Sequence, residues 1–267
     1  MQLIHKMVEI LVEDKTDAEV TIKDQMSAVN MFRELTRKEP SCDIMNSYDG
    51  TVLTTFLKQD PSNVPEGQTL YDYAKQQVQN QYQVDMLDQL GINNTYCIAV
   101  PQAIADQYGL ETISDLIPVA GELRFGAEHE FFTAEGTMKY GPFTQFYGLN
   151  FKEKIPVDIN LKYAAVENGS FEVTVVYTTD GLNRKAGLKV LEDDLGFFPE
   201  YNGALLVRDG LYDEMSETAP NLREVLNQLA GTLTNETMTD LTYTVDVEGR
   251  TVEEVAREFL TESGLIG

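Results

Sequence analysis

The chain has 267 residues, 42% of them hydrophobic, with 12 Phe and 13 Tyr but no Trp, enough to build one large or two modest α/β lobes and too apolar for a disordered or fibrous protein. Its 44 acidic residues against 20 basic ones leave a formal net charge of −24, which argues against nucleic-acid binding unless a basic patch is concentrated somewhere, and no such patch is visible. The acid excess suits a soluble surface and would also raise the local concentration of a cationic ligand, an effect that salt screens.

In chain order, Met1 to Glu13 place Leu3, Met7, Ile10 and Leu11 on one helical face with charges scattered between them, which reads as an amphipathic helix and not as a secretory leader. Strand-like runs then alternate with helical patterns, the signature of βαβ units and largely parallel sheets. The expected strands are Glu19 to Lys23, Cys42 to Met45, Tyr96 to Val100, Arg124 to Ala127, Glu172 to Tyr177, Leu188 to Leu191 and Ala204 to Val207. Between the second and third, Gly67 to Leu90 carries Leu70, Ala74, Val78 and Met86 near helical spacing, with the glutamines of 76–83 on a solvated face. Thr251 and Glu254 form a capping box for a helix running to Thr261 and ending near Gly264. The apolar runs are far shorter than the ~20 residues of a membrane span. Cys42 and Cys97 lie in apolar segments without metal or redox spacing and read as buried thiols.

The inventory for enzyme chemistry is thin. Only two histidines exist, His5 in the first helix and His129 in the run Ala127 to Phe131. The His-x-Glu pattern there lacks the further ligands of a zinc site, and no phosphate-binding glycine loop is present. Glu192, Asp193 and Asp194 form an exposed turn as readily as an acid/base pair. A hydrolase using His129 with Glu130 or Asp180 is the alternative in that class, and a regulator's effector domain would need a helix-turn-helix that is not recognisable here. What rises above background is a set of tyrosines beside turn residues where strands should end: Tyr48, Tyr96, Tyr177 and Tyr201. Strand ends are where open α/β sheets bind ligands.

The segments 48–57, 93–96, 113–116, 125–132, 179–181, 190–194 with 197–199, and 229–231 through 245–249 resemble, in order and over almost the whole chain, the substrate-binding proteins of osmoprotectant ABC importers for glycine betaine, carnitine and choline. The resemblance implies a two-lobed type II periplasmic-binding-protein fold, α/β throughout, each lobe a mostly parallel sheet flanked by helices. Residues 1–99 with 207–267 would form one lobe and 100–206 the other, joined by a two-crossing hinge near Val100 and Leu206. It implies no enzyme activity, no cofactor and no metal. The ligand would lie in the interlobe cleft, its trimethylammonium group boxed by Tyr48, Tyr96, Tyr177 and Tyr201, because a quaternary ammonium has no N–H to donate and is recognised by the negative faces of aromatic rings. Asn94 would offer an oxygen near the methyl groups, and Thr51 a hydroxyl to the polar end. The partners implied are a quaternary-ammonium solute and the membrane permease of an ABC transporter, with no nucleic acid. The isolated domain would be monomeric and would work outside the cytoplasmic membrane, held there by a lipid anchor or a permease fusion. Another trimethylammonium solute, such as ergothioneine, is the alternative ligand.

Three departures from the family pattern bear on the ligand. The sequence begins inside the first helix of the pattern, so the family's first strand and its lysine- or glutamine-bearing loop have no counterpart, a loss expected to lower affinity and to bare a sheet edge. An arginine that clamps carboxylates in some relatives is replaced by Thr133-Ala134-Glu135-Gly136, leaving Arg124 or Arg184 as possible substitutes. The acid Asp49 in Tyr48-Asp49-Gly50-Thr51 would favour a purely cationic ligand if it faced the cleft. Choline therefore gains slightly over glycine betaine.

Overall fold

The structure is a computed structural model and describes residues 2–133, 138–158 and 161–267. The chain forms two compact units, Met1–Asn94 with Glu200–Gly267 and Thr95–Pro199. It therefore passes between units at 94–95 and 199–200, where the sequence suggests 99–100 and 206–207.

The first unit opens with α1 (Gln2–Lys15), which buries Leu3, Ile4, Met7, Val8, Ile10, Leu11 and Val12. An extended segment leads to α2 (Ala28–Thr36), capped by the Ser27 side chain, and then to β1 (Ile44–Tyr48). The short helix α3 (Asp49–Thr51) continues as a π-helical turn over Val52–Phe56. Next, α4 (Leu70–Tyr82) starts at Thr69, whose hydroxyl takes the Asp72 amide, and stops at Gln83 in the left-handed region, φ 56°. The short strand β2 (Asp85–Met86) completes this half.

The second unit runs through β3 (Tyr96–Pro101), α5 (Gln102–Tyr108), β4 (Arg124–Glu128), α6 (His129–Thr133) and α7 (Tyr140–Tyr147). It continues through β5 (Glu153–Val157), α8 (Lys162–Glu167), β6 (Val173–Tyr177), α9 (Gly181–Lys185) and β7 (Leu188–Val190). The chain then returns to the first unit as β8 (Gly203–Val207), α10 (Leu211–Glu214), α11 (Leu222–Asn227), α12 (Asn235–Asp246) and α13 (Val252–Glu262).

Strand pairing is mixed, a correction to the mostly parallel sheets expected. In the first unit β8 lies between β1 and β2 and is antiparallel to both. In the second the order is β5-β4-β6-β3-β7, with β4 parallel to β5 and β6, and β3 antiparallel to β6 and β7. Antiparallel neighbours arise wherever the chain leaves a sheet and re-enters it at the same end, as β8 does beside β1. β8 is buried on both faces. Leu205 and Val207 pack on one core with α1, α11 and α13, while Ala204 and Leu206 pack on another with Phe32, Val52, Leu53 and Val78. This is the two-residue period of a strand with both sides covered. In the second unit Ile98, Val100, Val173 and Val175 face a core containing Phe125, Phe131 and Phe143.

Two further departures from the sequence reading concern single strands. Glu19 to Lys23 is not a strand: four of the five residues are exposed and no sheet contains them. The alternation of Val20 and Ile22 suits a strand, but no neighbour supplies the ladder hydrogen bonds. Between this segment, α1 and β1 opens a cavity of about 700 Å³ lined by Val8, Val12, Val20, Ile44, Met45 and Leu205. β1 is an edge of its sheet. The second departure is β5, which the sequence reading passes over because Glu153, Lys154 and Pro156 break any apolar pattern. It is an exposed edge strand, where proline and charge are tolerated because no ladder hydrogen bond is needed on the outer side. Cys42 and Cys97 are both free, Cys97 buried and Cys42 only partly so.

Candidate functional site

The four tyrosines singled out in the sequence fall into two pairs, one in each unit, and both pairs are built alike. Each takes one ring from the end of a strand and the other from the start of its antiparallel neighbour. In the first unit Tyr48 ends β1 opposite Gly203, and Tyr201 precedes β8 by two residues. Their ring centroids are 5.9 Å apart, inclined by 38°. In the second unit Tyr96 and Tyr177 are register partners across β3 and β6. Their rings stack at 4.9 Å and 25°, with the hydroxyls 3.3 Å apart. Tyr177 is 41% exposed, unusual for an aromatic at the end of a buried strand.

Polar groups fix the first pair. The Asn94 side-chain amide donates to the Tyr48 hydroxyl at 3.3 Å, and burial pushes that phenol above its ordinary pKa, with the Asn94 donation opposing the rise. The Tyr201 amide donates to Asn93 Oδ1 at 2.7 Å, and its carbonyl accepts the Asn94 amide at 2.9 Å. The Tyr201 ring lies over Gly50, where an added Cβ would come within 2.3 Å of it. Glycine is needed there for the close approach of a ring, not for an unusual φ. Thr51 is half-buried, and its hydroxyl makes no hydrogen bond among the described residues.

Asp49 does not offer its charge to a ligand. It is fully buried, and its carboxylate accepts the Gly50 amide at 2.6 Å, the Asn202 amide at 3.0 Å and the Asn202 side-chain amide at 3.0 Å. Desolvation pushes its pKa up to about 6 against those stabilising donors. The residue therefore ties the end of β1 to the loop that carries Tyr201. Sequence reasoning missed this, although an aspartate before glycine at a strand end is a known local cap for backbone amides.

The second pair is held from behind. The buried Asn183 donates to the Tyr177 carbonyl at 2.7 Å, and Tyr163 donates to Asp180 at 2.5 Å, with its oxygen 2.9 Å from Asn183 Oδ1. Asp180 also accepts the Leu182 amide at 3.0 Å as the cap of α9. Asp180 is engaged by those bonds and His129 and Glu130 are exposed, so among the described residues these three show no acid/base constellation of the kind the hydrolase reading requires. Asp193, likewise, organises a loop: it accepts Tyr147 Oη and the Phe197 and Phe198 amides. Lys162 is buried with its ammonium 2.6 Å from Glu128 and 3.0 Å from the Val175 carbonyl.

The arginine question resolves in part. Arg124 is engaged by Glu172 and the Gly169 carbonyl, which removes it as a substitute clamp. Ala134, Glu135 and Gly136 lie outside the described residues. A basic group that sequence reasoning passed over does reach the second pair: Lys139 Nζ sits 5.8 Å from the centroid of the Tyr96 ring and 6.0 Å from that of Phe131.

A family model described as the substrate binding domain of ABC-type glycine betaine transport systems matches residues 1–262. The chain is 32% identical over 223 residues to the ergothioneine transport permease/ergothioneine binding protein EgtU of Helicobacter pylori, covering 84% of this chain and 38% of that protein. It is 29% identical over 262 residues to the carnitine transport binding protein OpuCC of Listeria monocytogenes, covering 98% and 83% of the two chains. Among solved structures, a glycine betaine/carnitine/choline ABC transporter superposes with a TM-score of 0.87 at 28% identity, over 99% of this chain and 95% of the other. Ligand-free YehZ from Escherichia coli superposes with a TM-score of 0.81 at 23% identity, again over 99% and 95%. These likenesses give the chain the type II periplasmic-binding-protein fold.

Proposed function

We propose, from the premise that the chain belongs to the family of substrate-binding domains of ABC-type glycine betaine transport systems, that it captures a quaternary-ammonium solute and delivers it to a membrane permease. The family is one of binding domains and not of enzymes. The cage of this reading is formed by Tyr48 and Tyr201 from one unit and Tyr96 and Tyr177 from the other, with Asn94 and Thr51 beside the first pair. The observation that carries it is the duplicated construction: two tyrosine pairs, each at the junction of antiparallel strands, each braced by buried amide or carboxylate groups. A cation without N–H groups gains most from several desolvated ring faces at once.

In this reading the ligand shifts an open and closed equilibrium of the two units toward the closed form, which docks on the permease outside the cytoplasmic membrane. The domain works as a monomer. Among the described residues no helix is long and apolar enough to cross a membrane. The 32% identity to an ergothioneine binding protein favours ergothioneine as a second candidate beside glycine betaine, carnitine and choline. Calorimetric titration of the four solutes tests the reading. Tyr96→Ala and Tyr177→Ala should each weaken binding about three- to thirtyfold, the value of one ring face. Unchanged affinity in both variants would refute the cage.

A further inference from the structure

The geometry around Lys139 points to a specificity-determining residue: we infer that its ammonium selects solutes carrying a carboxylate beside their quaternary ammonium and disfavours purely cationic ones such as choline. This rests on the assignment of Tyr96 to the ligand cage. Lys139 immediately precedes α7, its carbonyl accepting the Phe143 amide at 3.0 Å, so its backbone is anchored while its side chain reaches back to the aromatic pair. The ammonium is shared between the rings of Tyr96 and Phe131, which are themselves 6.0 Å apart at 62°.

Many of the 20 basic residues are ion-paired, and Lys139 is one of several that, among the described residues, take part in no ion pair; what sets it apart is its place beside the rings of Tyr96 and Phe131. A partly buried lysine whose ammonium lies beside two rings and has no counter-ion among the described residues is placed to accept one. A quaternary ammonium against the Tyr96 ring would have this like charge as a near neighbour, at a separation where partly desolvated charges still interact strongly. Choline, whose only other polar group is a hydroxyl, meets that repulsion uncompensated. Glycine betaine, carnitine and ergothioneine each carry a carboxylate a few bonds from the ammonium, and a lysine can hold it by charge-assisted hydrogen bonds. The slight preference for choline expected from the sequence is therefore reversed, since the Asp49 carboxylate is buried and taken up by three amide donors and Lys139 supplies a cation.

The test is calorimetric titration of the full chain and its Lys139→Ala and Lys139→Arg variants with glycine betaine and with choline at low salt, with ligand-free unfolding followed alongside. The full chain should bind glycine betaine about tenfold or more tighter than choline, Lys139→Ala should erase most of that ratio, and Lys139→Arg should keep it. Because both ligands see the same fold, a change in their ratio reports on charge and not on stability. A ratio that Lys139→Ala leaves within about twofold of the parent, or a parent that favours choline, overturns the inference. Tyr96→Ala separates the two levels. If it weakens both ligands while Lys139→Ala leaves the ratio alone, only the lysine's role is lost, whereas unchanged binding of both ligands in Tyr96→Ala removes the cage and this inference with it.

Discussion

Burying a carboxylate without a cation is costly, and Asp49 shows what such a group is kept for. Its three amide donors stabilise the charge, yet desolvation outweighs them and raises its pKa from 3.8 to about 6. The sign of the consequence follows from proton linkage. A carboxyl with a raised folded-state pKa keeps its proton in the folded protein over a range where the unfolded chain has lost it. Its contribution thus favours folding most at low pH and declines as pH rises from about 4 to about 6. A shift of about two units corresponds to about 3 kcal/mol. Asp49→Asn, which cannot ionise, should therefore gain on the parent by roughly that amount between pH 4 and pH 7 in denaturant unfolding. A difference between the two proteins that stays flat over that range would show that Asp49 is not the titrating group. The raised energy is the cost of a fixed loop: two of the three donors belong to Asn202, and Asn202 adjoins Tyr201.

At the level of elements, the capping box at α13 is the feature most completely legible in the sequence. Thr251 Oγ1 takes the Glu254 amide at 3.2 Å, and the Glu254 carboxylate returns to the Thr251 amide at 3.1 Å. Replacing Thr251 by Ala should cost about 1 kcal/mol, read as a lower denaturant midpoint with an unchanged slope, because it orphans an amide at the start of a helix whose Val255, Ala256, Phe259 and Leu260 are buried. Such local signals depend only on residues a few positions apart, which is why the strands at 96–101 and 203–207 were also legible. Pairing was not. Whether β8 runs with or against β1 depends on where the intervening hundred-odd residues return to the sheet, and nothing local encodes that. Gly67 to Leu90 read as one helix because Val84, Met86 and Leu90 keep an apolar spacing that suits both periods, and only Gln83's left-handed turn ends α4 and frees β2 to join β8. The tyrosines could be named from turn residues beside them. Their division into two pairs could not be, nor could the approach of Lys139 to Tyr96, which depends on how α6 and α7 fold back on the sheet.

Over the whole molecule the dominant physical fact is charge. Each ion pair, Arg208 with Asp43 and Glu214 and Arg223 with Asp85 among them, cancels charge of both signs, and the excess of acids still leaves a formal charge of −24 to act on anything that approaches. Such a field reaches about 10 Å into solution at 0.1 M salt and steers encounter more than it holds a bound ligand. Two solutes of the proposed class feel it differently. Choline carries a net positive charge, while glycine betaine is a zwitterion with none. The association rate constant of choline should therefore fall several-fold, on the order of fivefold, as ionic strength rises from about 10 to about 300 mM, and that of glycine betaine should hardly change. Stopped-flow tyrosine fluorescence can follow both, since the chain has 13 tyrosines and no tryptophan. Equal salt dependence for the two solutes would mean that the net field does not reach the binding surface. The rate and the affinity then report on different charges: the acidic surface as a whole decides how fast a cation arrives, and the single ammonium of Lys139 decides whether it stays.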